Sequence, residues 1–202
     1  MRRNLSRLPP HVEFVAASHG YNTHAVPSPA PLPTATLSRR LGLGLIVWLA
    51  MLGLDFLLNG ALFARMYQQS GSFFLKPAEA FRRIPLGYLA FLVLAFCLVE
   101  IVHRLGVKRT TEGIRLGLVI GVVFGATWAL SLYSIATLSA PVALAFAAIW
   151  IGLLTLATAV AASGLARRSL RGLALSVVGF DVLFVGTVIA LQSSGVVPTI
   201  TP

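Results

Sequence analysis

The sequence predicts an all-α fold, a polytopic transmembrane helix bundle of about five spans with a cytoplasmic N-terminus. Three observations carry that expectation. Of the 202 residues, 57% are hydrophobic and only 11% charged, with a mean hydropathy of +0.86, whereas an average soluble domain is about 25% charged. Five apolar stretches reach the roughly 20 residues that a helical span requires. Basic residues collect in alternate connections between those stretches, as they do in membrane proteins whose cytoplasmic loops are positive.

Residues 1–38 are unlike the rest. They hold six of the eleven prolines, including the run "VPSPAPLP", and three of the four histidines. No hydrophobic period is visible there, so a disordered Pro-rich cytoplasmic tail is expected. "MRRNLSR" has the paired arginines of an export signal, but no apolar segment follows before residue 41, so such a signal is not expected.

The five expected spans are about 41–63, 86–104, 114–138, 141–166 and 172–191, within a helical domain of residues 39–192. The connections assigned to the inside hold Arg2, Arg3, Arg7, Arg39, Arg40, Arg104, Lys108, Arg109, Arg115, Arg167, Arg168 and Arg171. Those assigned to the outside hold Arg65, Lys76, Arg82 and Arg83. This asymmetry sets the orientation and puts residues 193–202, a short uncharged tail, outside the cytoplasm. The net charge of +10 is therefore read as topology; a nucleic-acid partner is not expected. The one cysteine, Cys97, lies within an apolar run and is expected to be a small buried hydrophobe.

The first outer connection, "SGSFFLKPAEAFRRIP", is the only substantial one. Pro77 suits the first turn of a helix. Phe74, Ala78 and Phe81 would share a face opposite Glu79, Arg82 and Arg83. A short helix on the outer surface is expected, either as an anchor or as a lid over a cavity between spans.

Gly113, Gly117, Gly121 and Gly125 recur at strict four-residue spacing and are continued by Ala129. Such a glycine zipper makes a groove where another backbone approaches closely. Packing against neighbouring spans is expected, with a homodimer seam as the other use, and either role would make this helix central. Thr127, Ser131 and Ser134 form a hydroxyl stripe on the outer half of the same span. They would bond their own backbone carbonyls, line a polar cavity or partner carboxylates on other helices.

Glu100 and His103 form a single E-x-x-H pair. Di-iron bundles need two such pairs and two further glutamates, so an i,i+4 pairing of Glu100 with Arg104 is expected instead. No H-E-x-x-H, G-x-S-x-G, P-loop or dinucleotide fingerprint occurs. Neither an enzyme, a metal site nor a cofactor is expected.

Asp55 and Asp181 are the carboxylates deepest in the spans. Helix rise puts them ~21 Å and ~14 Å from the cytoplasmic face, with Glu100 at ~6 Å. Asp55 is then level with Thr127, and Asp181 lies near Thr155 and Thr158. A carboxylate at a helix centre costs about 2.5–3.5 kcal/mol on insertion scales. Asp55 is therefore expected to face the bundle interior with Asn59, one turn further on.

The stretch "DFLLNGALFARMYQQSGSFFLKPAEAFRRIPLGYLAFL", followed by "GIRLGLVIGVVFGATWAL", resembles a group of small bacterial multi-span membrane proteins. The resemblance covers about residues 45–140 and excludes the tail. Its distinctive points are Asp55–Asn59–Gly60 and the outer loop. It implies a bacterial inner (cytoplasmic) membrane but no activity, so no residue role is carried over. Two functional readings follow. One is a structural or accessory membrane component, partnered with lipid and with itself or a larger complex. The alternative is a small transporter or ion-conducting protein with Asp55 and Asp181 lining a polar path.

Overall fold

The computed structural model describes residues 35–65 and 77–198, without the side chains of 77, 78, 80 and 81. Their regular structure is entirely helical: α1 (Leu37–Leu57), running on into a π-helical turn (Leu58–Leu62), α2 (Pro77–Arg104), α3 (Thr110–Ile135), α4 (Ala140–Ala166) and α5 (Arg171–Ser193). Each contains a segment long and apolar enough to cross a membrane. The expected tail and its "VPSPAPLP" run lie outside the described residues up to 34; helix α1 already begins at Leu37, within the last two residues of the segment read as tail.

Local chemistry explains the helix ends. Pro77 and Pro141 occupy first-turn positions, where a missing N–H leaves no bond unmade. The Glu112 carboxylate accepts from the backbone N–H groups of Lys108 and Arg109, each at 3.3 Å, at the start of α3. Past the last residue of α2, Arg104, Gly106 has a φ of 65° that lets the Val107 N–H turn back to the Val102 carbonyl at 3.2 Å. That left-handed step is one glycine adopts without strain.

Side-chain bonds show which ends meet. Arg40 of α1 reaches Glu100 at the end of α2 at 2.5 Å. Arg39 donates to the Gly164 carbonyl at the end of α4 at 3.0 Å, and Thr110 at the start of α3 pairs with Ser163 of α4 at 2.8 Å. At the opposite end Arg65 donates to the Val196 carbonyl beyond α5. The helices therefore alternate in direction, as short connections require. One end gathers Arg39, Arg40, Arg104, Lys108, Arg109, Arg115, Arg167, Arg168 and Arg171, against Arg65, Arg82 and Arg83 at the other. By the positive-inside rule, a reporter fused after residue 202 is expected to be active outside the cytoplasm and one fused before residue 1 inside it. A cytoplasmic signal from the C-terminal fusion would contradict the odd number of spans.

Helices α1 and α4 form the interior. Leu43, Val47, Met51, Leu153, Leu154 and Ala161 are almost completely enclosed, with α2 and α5 against α1. Three sequence expectations change here. The helix beginning at Pro77 runs without a break through Pro85 into the second span, so the separate surface helix is the first turns of α2; Phe74 lies outside the described residues, as do the side chains of Ala78 and Phe81. Cys97 is exposed on the outward side of α2, because the inward side is filled by Ala95, Leu98, Val99 and Val102. Helix α3 is peripheral rather than central, with α4 as its main packing partner. Its glycine edge is buried, while Val119, Val122, Val123 and Leu130 point away from the bundle.

Candidate functional site

Asp55 is reached through the packing of α1. This helix has glycines on two sides: Gly44 meets the Phe96 ring of α2, while Gly53 and Gly60, seven residues apart, meet Asp181 and Val188 of α5. Asp55 lies two residues past Gly53. Consecutive helical residues differ by about 100°, so Asp55 points away from α5 and towards α2. There Trp48 anchors the pair of helices by donating Nε1–H to the Tyr88 carbonyl at 2.8 Å.

Between α1 and α2 lies a cleft of about 330 Å³. Asp55, Phe56, Asn59 and Gly60 form one wall; Ile84, Gly87, Tyr88 and Phe91 form the other. Asp55 is half-buried, and its Oδ1 accepts a 2.7 Å hydrogen bond from the Asn59 amide. Asn59 and Gly60 stand in the π-helical turn, which the Phe63 N–H closes on the Leu58 carbonyl at 2.8 Å. Such a turn widens the helix by one residue and leaves a carbonyl needing another donor. Gln192 of α5 supplies a donor here, reaching the Gly60 carbonyl at 3.2 Å. Phe91 is held from behind by Trp150 of α4, edge to face at 5.9 Å.

The structure thus brings Asp55 and Asn59 together and leaves the other polar candidates elsewhere. Thr127 and Ser131 are exposed on α3, and Ser134 donates to the Ser131 carbonyl at 2.8 Å. They do not face Asp55, because α3 packs against α4 and not against α1. Thr155 and Thr158 are not beside Asp181 either. Thr155 donates to its own helix at the Ile151 carbonyl, at 2.6 Å, and buried Thr158 bonds Leu154 and the Gly113 carbonyl of α3, both at 2.8 Å.

Asp181 occupies a second, nearly apolar cavity of about 250 Å³ on the other side of α1, among Ala50, Leu54, Val177, Phe180 and Phe184. Its Oδ1 is buried without a hydrogen-bond partner among the described residues and presses on Gly53. Glu100 has both carboxylate oxygens engaged, one by Arg40 and one by Arg104 at 2.7 Å, while His103 is half-buried at the same end.

Sequence reasoning missed Tyr88, Phe56 and Phe91 as walls of a site, and Arg40 as the second partner of Glu100. The seven-residue spacing of Gly53 and Gly60 was a readable sign of close packing; nothing in the sequence assigns the aromatic residues to one cleft. Gly113, Gly117, Gly121 and Gly125 all lie against the backbone of α4, which uses the ridge within the chain.

Compared with protein-family models, curated proteins and solved structures, the chain has no match.

Proposed function

We propose that this chain is a multi-pass integral protein of a bacterial inner membrane, N-terminus cytoplasmic, acting as a structural or accessory component without catalytic chemistry. The observation that carries the reading is the separation of the two deep carboxylates. Asp55 and Asp181 lie on opposite sides of α1, in separate and largely apolar cavities. A path for ions needs polar groups or water in continuous succession, since a charge in hydrocarbon is costly. Here a helix stands between the two acids, and the α3 hydroxyls that would extend a path are exposed on a different helix.

On this reading the Asp55–Asn59 pair is a structural hydrogen bond within α1, facing α2. Asp55→Asn keeps much of that bonding and is expected to fold with a melting temperature close to the parent in detergent. Asp55→Leu leaves the Asn59 amide without its carboxylate acceptor and is expected to lose about 1–3 kcal/mol. Proteoliposomes loaded with a pH-sensitive dye test the function itself. The parent protein is expected to add no proton or monovalent-cation flux to that of empty vesicles. Flux that the parent supports and Asp55→Asn abolishes would establish the transporter alternative instead.

A further inference from the structure

Both cavities hold a carboxylate, but the cleft beside Asp55 adds the Asn59 amide and is ringed by three aromatic side chains, where the second cavity has no amide and two. No salt bridge to Asp55 exists among the described residues; both ion pairs there belong to Glu100. Arg82 and Arg83, nearby at the start of α2, are exposed. Intramembrane acids normally pair with a cation or line a watery cavity, and this one lies against Phe56, Tyr88 and Phe91.

The chemistry of the lining narrows the occupant. A hard metal ion takes about six or more oxygen ligands, and the side chains of this cleft offer few, with the Asn59 N–H group already turned towards Asp55. An anion would meet the carboxylate and no cationic lining residue. A neutral apolar molecule would fill the space but leave the acid without a counter-charge. An organic ammonium ion satisfies both halves of the site: its charge meets Asp55, its alkyl or aryl groups meet Ile84 and the rings, and aromatic faces attract cations. The cleft volume falls at the lower end of the range for small-molecule sites, roughly 300–1,000 Å³. Gly87 contributes to that space, because a Cβ built there meets nothing within 4 Å.

We propose that the cleft between α1 and α2 binds a small hydrophobic ammonium ion, with Asp55 as its counter-charge and Phe56, Tyr88 and Phe91 as its aromatic walls. The proposal is independent of the accessory reading, since a ligand can be held without being carried across the membrane.

The test is saturable binding of tritiated benzyltrimethylammonium to the purified full chain in a non-ionic maltoside detergent. Neopentylbenzene, the uncharged carbon isostere, is expected to compete at least about tenfold more weakly, because it cannot engage the carboxylate. Asp55→Asn is expected to weaken binding about tenfold or more for the same reason. Gly87→Leu is expected to weaken it similarly by occupying the cleft; a side chain there meets open space, so the variant should elute and melt like the parent. Asp181→Asn, on the far side of α1, is expected to leave affinity within about twofold, as independent sites do. Absence of saturable binding by the parent would overturn the proposal and leave a basic side chain from a neighbouring protein helix as the candidate counter-charge. Equal competition by the uncharged isostere would also overturn it, and that comparison needs no variant. So would a parent-like affinity in both Asp55→Asn and Gly87→Leu, or a loss in Asp181→Asn matching that in Asp55→Asn.

Discussion

Leucine at position 121 is expected to cost about 3 kcal/mol of stability or more, while leucine at the adjacent position 122 is expected to cost almost none. A Cβ at Gly121 would stand 2.8 Å from the Ile151 Cα of α4. At Gly117 it would stand 2.5 Å from the Thr155 Cα and overlap the Thr158 hydroxyl. The obstacles include backbone, so no rotamer change removes them. The helices would have to separate, losing the van der Waals contact and the Thr158–Gly113 hydrogen bond that hold such pairs together where no hydrophobic driving force acts between helices. Overpacking a tight contact costs about 1–3 kcal/mol, occasionally more. Gly121→Leu and Gly117→Leu belong at or above the top of that range, a fall in melting temperature of roughly 10 °C. Val122 is half exposed on the outward side of α3, and its replacement by leucine should shift melting by no more than ~2 °C. Thermal unfolding in detergent, followed by size-exclusion chromatography, measures the difference. Equal tolerance of both changes would mean that the ridge is not the α3–α4 contact.

The second large effect is expected at Gly53. A Cβ there would overlap the Asp181 carboxyl group and lie 3.3 Å from the Asp181 Cα. The two residues compete for the same space at the α1–α5 contact. Gly53→Ala is expected to lower stability by about 2 kcal/mol. Asp181→Ala removes the overlapping atoms together with a buried carboxyl oxygen that has no partner among the described residues. The double variant Gly53→Ala/Asp181→Ala should then recover a large part of the loss, leaving the tight approach to the Asp181 backbone as the remainder. A double-mutant cycle on melting in detergent reads this as a coupling energy on the order of 1 kcal/mol. Additive losses would show that the carboxyl group and Gly53 do not share that space.

Some of the architecture was legible because it depends on one helix at a time. The expected spans 41–63, 86–104, 114–138, 141–166 and 172–191 fall on candidate spans at Leu37–Leu62, Arg82–Arg104, Thr110–Ile135, Ala140–Ala166 and Arg171–Ser193. Hydropathy sums a transfer energy along consecutive residues, so it finds a span without knowing its neighbours. Pro77 similarly marks a helix start through its own backbone chemistry. The glycine ridge was visible because its four-residue period is itself a property of one helix.

What a ridge or a polar side chain faces is a property of two helices, and there the sequence alone is silent. Thr127, Ser131 and Ser134 were candidates for a polar interior, yet a helical hydroxyl can bond its own turn and so can be exposed as readily as buried. Depth along the membrane made Thr127 level with Asp55, but equal depth does not make two helices neighbours. Sequence by itself determined the all-helical class, the five apolar helices and the i,i+4 spacing of Asp55 with Asn59. Tertiary structure decided that α3 is peripheral, that Asp55 and Asp181 lie on opposite sides of α1, and that Phe56, Tyr88 and Phe91 surround the first of them. The physical reason is that lipid solvates every apolar face about equally well, so hydropathy cannot choose which faces meet. That choice falls to the fit of small residues against particular partners, such as Gly53 against Asp181 and Gly121 against Ile151, a short-range property of pairs far apart in the chain.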